Sequence, residues 1–335
     1  MSQARPPQQL PSHDPVLPFG GSTQPVRAPE PGVPFTQVLR GPGFLPVRSW
    51  VGLAFALFGY ALIIPLANQA LNWLFWLVWG RGETFAAYFQ RANAYGMPQG
   101  LVAGHLALSL LTLIAMAMVV FWHRRPGSFL SSVQPGLRWR YLLLCLPVAA
   151  IILNVVLWIG QGSIPEFTLP DGWWWWVLVI VLFSPLQAAG EEYFFRGYLL
   201  QGIGSLSRHR WVGILASALV FALFHGVQNV WLFVDRFAFG LLAAFLVVVT
   251  GGLEAAIAAH VANNVFAFGY AVFTGSVAST RAVQQIGPLQ AAMDVVGFAL
   301  VALACWALGR RLRVATTTPG GRAVDLPPGG PVLYS

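Results

Sequence analysis

The sequence contains no lysine, and only 9% of its 335 residues are charged. Soluble domains carry about 25% charged residues, so this chain cannot clothe a globular surface in charge. With 57% hydrophobic residues it reads instead as a polytopic membrane protein. Cysteine is nearly absent. Cys145 and Cys305 both fall in apolar runs, which excludes a disulfide framework and any cysteine-based metal motif. No basic patch with interleaved aromatics occurs, so the net charge of +8 does not describe a nucleic-acid surface. No apolar h-region stands near the start, and a cleavable signal peptide is not expected.

What is present divides the chain. Residues 1–47 hold 11 of the 24 prolines and read as a disordered cytosolic tail. Residues 314–335, rich in Thr, Pro and Gly, read likewise. Residues 48–313 form the membrane domain. Eight runs reach the length of about 20 residues that a bilayer core requires: roughly 50–79, 101–122, 140–160, 173–203, 211–228, 234–250, 252–274 and 288–309. The expected fold is all-α, a polytopic bundle of about eight transmembrane helices. Pro65 should kink the first span, and Pro185 should break the fourth. Residues 229–236, with Asp235 and Arg236, should be a polar loop, and Gly251–Gly252 a tight turn. With the N-terminus in the cytosol, 14 arginines fall on the cytosolic side, 4 on the other, and Arg196 inside a span. That split predicts N-in, C-in topology. The four tryptophans at 173–176 then form an aromatic belt at the far surface.

Ionisable side chains inside a bilayer cost about 2.5–3.5 kcal/mol each on insertion scales. The apolar runs nevertheless hold Glu191, Glu192, Arg196, His225, His260 and Asp294, with His105 and Glu254 near span ends. Glu192 and Arg196 are i,i+4 with the carboxylate first, the favourable order for an ion pair. Glu191 lies about 100° round the helix and has no partner evident in its own span. An unpaired carboxyl in a low-dielectric setting exchanges its proton nearer neutral pH than an exposed one, which suits a general base. Phe221 and His225 are i,i+4 on the next span, and His260 and Asn264 on the seventh, with Asn263 on a neighbouring face. Each residue has a plainer reading: a membrane His is commonly a helix–helix hydrogen-bond partner, Phe221 is core packing, and Asp294 and His105 lack companions at meaningful spacing. A Glu, two His and an Asn on polar stripes of three spans are harder to explain that way.

These motifs resemble the pattern EExxxR, FxxxH and HxxxN of the CPBP family of intramembrane proteases, the CAAX-processing type II endopeptidases and their bacterial Abi relatives. The resemblance covers residues 175–270. It implies an eight-span helical fold and an endopeptidase acting on a peptide or membrane-protein substrate. Carried over residue by residue, Glu191 activates a water with His225, while His260 and Asn264 stabilise the tetrahedral oxyanion. Glu192, Arg196 and Phe221 give structural support. Glu191, His225 and His260 also make a plausible zinc set; HExxH spacing is absent, and a metal-free glutamate mechanism is preferred. Arginine without lysine, with abundant Ala, Gly and Pro, suggests a GC-rich bacterial genome, hence the bacterial plasma membrane and unprenylated substrates. A non-proteolytic scaffold or immunity-type protein is the alternative. A proton-coupled carrier is disfavoured by the lack of an internal repeat. Oligomeric state is left open.

Overall fold

The computed structural model describes residues 27–41, 43–162 and 165–319. Residues 1–26 and 320–335, most of the two expected tails, lie outside the described residues. Among the described residues there is no strand, only two isolated antiparallel bridges, Pro34 with Thr317 and Ser132 with Gly252. In hydrocarbon a backbone must satisfy its own hydrogen bonds, and a helix does so within one segment. The helices are α1 (Pro46–Trp79), α2 (Phe85–Asn93), α3 (Pro98–Ala117), α4 (Trp139–Gln161), α5 (Trp173–Glu191), α6 (Leu200–Leu206), α7 (Arg210–Leu223), α8 (Val230–Thr250), α9 (Glu254–Thr274), α10 (Val277–Arg281) and α11 (Pro288–Arg311). Helices α1, α3 and α11 begin with proline, where the missing N–H is one the helix would leave unpaired anyway.

Among the described residues seven helices are long and apolar enough to cross a membrane. The eighth expected span, 211–228, is corrected: α7 has 14 residues and reaches only about 21 Å, short of a core about 30 Å thick. His225 therefore stands in the turn beyond α7, where Gly226 takes a left-handed φ of 78° that favours glycine.

Residues 229–236 are not a loop. Asn229 caps α8, its side chain accepting from the Leu232 N–H at 3.0 Å, and the helix starts at Val230. Asp235 and Arg236 sit inside that helix and line a partly open polar cavity, so their polarity is accommodated without a loop.

Pro185 does not break the fourth span. Trp173–Leu206 is one helical run of 34 residues, about 51 Å long, longer than a bilayer core about 30 Å thick. Between Glu192 and Leu199 it is π-helical. The i→i+5 pairing of such a segment turns less per residue than an α-helix, and π-turns recur at functional sites. Helix α1 likewise continues through Pro65.

One end of the bundle collects the ends of most helices, and both terminal segments are fastened there. Residues 27–41 and 43–47 are corrected from the expected free tail. Phe35 and Val38 are fully buried, Gln37 donates to the Gly204 and Ser207 carbonyls, and Arg40 to that of Ser205. Arg125 donates to the carbonyls of Arg27, Ala28 and Arg40; burial pulls its guanidinium below the usual range. On the C-terminal side, Thr318 pairs with Val33 in both directions. Arg138 grips the Glu254 carboxylate at 2.5 Å and donates to the Thr250 and Ala315 carbonyls. Proline-rich composition hid this because a few apolar residues, Phe35, Val38 and Leu39, on and just after one short 3-10 turn, suffice to dock the segment.

Candidate active site

A cavity of about 780 Å³ lies among α1, α3, α5, α8, α9 and α11 and is lined by Glu191, His225, His260 and Asn264 together. Helix α5 supplies Glu191, α9 supplies His260 and Asn264, and the turn after α7 supplies His225. The three motifs, scattered over more than 70 residues of sequence, thus face one space.

His260 is the hinge of the arrangement. Its Nδ1 is 2.7 Å from Glu192 Oε1, so Nδ1–H donates to that carboxylate. Its Nε2 then faces Glu191 Oε2 at 3.6 Å. Adjacent glutamates reach the same ring because the helix changes pitch between them: Glu191 ends the α-helical part and Glu192 opens the π-helical part. Glu192 also takes Arg196 Nη1–H at 2.9 Å, as the i,i+4 spacing predicts. It is therefore both the partner of Arg196 and the residue that orients His260.

The expectation that Glu191 has no partner in its own helix is corrected. Gln187, one turn earlier, donates Nε2–H to Glu191 Oε1 at 2.8 Å. Its own Oε1 accepts from Asn264 Nδ2 at 2.7 Å, and Asn264 Oδ1 accepts from Asn263 Nδ2 at 3.1 Å. Gln187 was not singled out in the sequence; its i−4 offset from Glu191, in an apolar run, was the available signal.

His225 points Nδ1 at the Phe221 carbonyl, 2.8 Å away, which satisfies a last-turn acceptor of α7 and leaves Nε2 for the cavity. Phe221 does more than fill the core. The Arg196 guanidinium carbon lies 4.0 Å from its ring centroid and the His225 ring 4.5 Å from it, so it spaces the two. His105 and Asp294 line the same cavity; His105 is buried, its Nδ1 3.3 Å from Ser184 Oγ. Tyr60, Asp235 and Arg236 are also among its polar lining.

A catalytic zinc takes three protein ligands. Among the described residues no three His, Cys, Asp or Glu side chains come together as a metal-holding group. Glu191, His225 and His260 line one cavity but are not grouped closely enough in this arrangement to form such a set; Nδ1 of each imidazole is engaged, by Glu192 and by the Phe221 carbonyl, which leaves both Nε2 atoms free, as in a metal-ligating histidine.

Close packing of α5 on α3 fixes the depth of Glu191. A Cβ at Gly190 would lie 2.6 Å from the Leu108 carbonyl oxygen and 2.9 Å from Ser109 Cα, backbone atoms that cannot swing aside. Gly190→Ala is therefore expected to destabilise the protein by about 1–3 kcal/mol and to displace Glu191. A lowered melting temperature in detergent would register the first effect, and unchanged stability would show that α5 and α3 can separate freely.

Fold and site together define an integral membrane protein: a polytopic helical bundle with carboxylates, imidazoles and amides gathered in a partly open cavity. Residues 171–266, which carry all three motifs, match the family model described as "Type II CAAX prenyl endopeptidase Rce1-like", and this part of the chain is similar to that family. The first three spanning helices, α11 and both terminal segments lie outside the match. A protein of Bacillus subtilis (strain 168), carried under the name "Uncharacterized protein YyaK", is 26% identical over 162 residues, 44% of this chain and 53% of that protein. The match thus spans about half the length of this relative. No solved structure matches the chain.

Proposed function

We propose that the chain is an intramembrane endopeptidase that hydrolyses peptide bonds with a glutamate-activated water. The observation that carries this reading is the facing of Glu191 Oε2 and His260 Nε2 across 3.6 Å. That is too long for a direct hydrogen bond, and a water lying beside the pair on the cavity side reaches both atoms. Glu191 takes a proton from the water as its oxygen attacks the scissile carbonyl carbon. The carbonyl electron pair moves to oxygen, where His260 Nε2–H and the second N–H of Asn264 donate to it. Donation from Nε2 with Nδ1–H held on Glu192 uses both ring protons. His225 shares the proton taken from water and delivers it to the leaving nitrogen as the C–N bond breaks. A positioned acid or base contributes about 10²–10⁴-fold, and an oxyanion donor about 10²–10³-fold. No step is routed through a metal.

The arginine-rich end, where both terminal segments meet, is the cytosolic end in this reading, and the membrane is the bacterial plasma membrane. The substrate is an unprenylated peptide or membrane protein. Support for that comes from the polar lining away from the catalytic residues, Asn68, Asn93, Asp235 and Asp294, which suits peptide rather than isoprenoid.

Reconstituted in proteoliposomes, the wild-type chain is expected to generate new termini from a mixed library of unprenylated peptides, read by mass spectrometry. Phenanthroline, a strong zinc chelator, is expected to leave the rate unchanged; inhibition reversed by added zinc would overturn the metal-free mechanism. Absence of any new terminus, with prenylated peptides cleaved, would overturn the substrate class. Absence of cleavage from both libraries would favour the scaffold reading.

A further inference from the structure

Glu191 and Asn264 stand on different helices, α5 and α9, and neither is held by the motif residues themselves. One side chain joins them. Gln187 is 5% exposed and spends both ends of its amide on the site: Nε2–H on Glu191 Oε1 at 2.8 Å and Oε1 on Asn264 Nδ2 at 2.7 Å. A carboxylate can only accept, and an amide nitrogen can only donate. A glutamine between them therefore has one orientation that satisfies both, and reversing it would set acceptor against acceptor and donor against donor.

We propose that Gln187 is a positioning residue, one that fixes the base and the oxyanion donor relative to each other. Anchoring Oε1 of Glu191 leaves Oε2 as the oxygen facing His260 Nε2 and the cavity. Drawing one Asn264 N–H to Gln187 sets the plane of that amide, and Asn263, donating to Asn264 Oδ1 at 3.1 Å, secures its other end. The remaining Asn264 N–H is then aimed by the protein before a substrate arrives. Preorganised donors of this kind cost no reorganisation at the moment of reaction, and a misplacement of about 1 Å can cost roughly 10²-fold in rate.

The inference rests on the protease reading, and the two fail separately. Gln187→Leu keeps the bulk and removes both hydrogen bonds. It is expected to lower kcat by roughly 10²-fold with KM little changed, because neither contact is to substrate. Gln187→Glu keeps an acceptor for Asn264 but sets a second carboxyl against Glu191. Like charges at that distance hold a proton between them, so the acid limb of the kcat/KM profile is expected to move to higher pH. A merely structural glutamine would not move that limb.

Both variants are compared with wild type in proteoliposomes on one cleaved peptide, with size-exclusion and circular dichroism to establish folding. Wild-type kcat in Gln187→Leu, or an unmoved acid limb in Gln187→Glu, overturns the proposal. Should Gln187→Leu fail to fold, the profile of Gln187→Glu decides alone; should both fail to fold, Gln187 is a structural residue and the proposal is overturned. A wild-type chain that cleaves nothing, or a Glu191→Gln chain that still cleaves, overturns the protease reading instead.

Discussion

Glu191→Gln is expected to fold, enter the membrane and lose peptide cleavage by about 10²–10⁴-fold. The substitution changes little besides basicity. Glutamine has the volume of glutamate, its carbonyl oxygen can still accept from Gln187 Nε2, and residue 191 is buried at the junction of two helical pitches. What disappears is an oxygen able to take a proton from the water of the proposed mechanism. Initial rates on a cleaved peptide, beside a size-exclusion profile and a helical circular dichroism spectrum matching wild type, measure this loss directly. Cleavage at the wild-type rate would remove Glu191 from the chemistry.

The second large effect is on stability. Arg196→Leu is expected to cost about 3–5 kcal/mol, the range for breaking a buried ion pair by removing one partner. Arg196 has no solvent exposure, and its pairing with Glu192 at 2.9 Å is not its whole environment. Its Nε and Nη2 have no hydrogen-bond acceptor. Instead the guanidinium lies against the rings of Phe221, at 4.0 Å, and Phe239, at 5.3 Å, and cation–π attraction to a desolvated guanidinium is worth about 2 kcal/mol. Leucine removes both partnerships and leaves Glu192 with His260 alone. Adding Glu192→Gln should recover part of the loss, since the stranded charge goes with it, and a coupling of about 0.5–3 kcal/mol is expected in the double-mutant cycle. Thermal unfolding of the four proteins in detergent measures it. An Arg196→Leu protein as stable as wild type would mean that the pair is held apart from the fold.

The spans and the motif order were legible because length and apolarity are local properties of a sequence. Glu192 with Arg196 was legible for the same reason, as an i,i+4 pair on one helix. The errors came where polarity was taken as a sign of water. Asp235 and Arg236 suggested a loop, yet they face a partly open polar cavity from within α8. His225 was placed on a helix because Phe221 precedes it by four residues, but the helix ends two residues earlier. Gln187 was invisible because an uncharged residue in an apolar run breaks no rule, and the motifs are spelled by charges and imidazoles. The attachment of His260 to Glu192 rather than only to Glu191 depends on the π-helical pitch after Glu191. Spacing counted at 100° per residue could not supply it.

The early end of α7 bears on a difficulty common to any hydrolase in oil, the supply of its second substrate. A helix of 14 residues is about 9 Å shorter than a 30 Å core is thick, and beyond it the chain turns through His225 and Gly226 instead of continuing as helix. The cavity that Glu191 lines reaches this turn, where His225, Gly226 and Val227 also line it. We read that opening as the place where water enters in the proposed hydrolase. Lengthening α7 by two turns would give a more conventional membrane bundle and is expected to close that entrance.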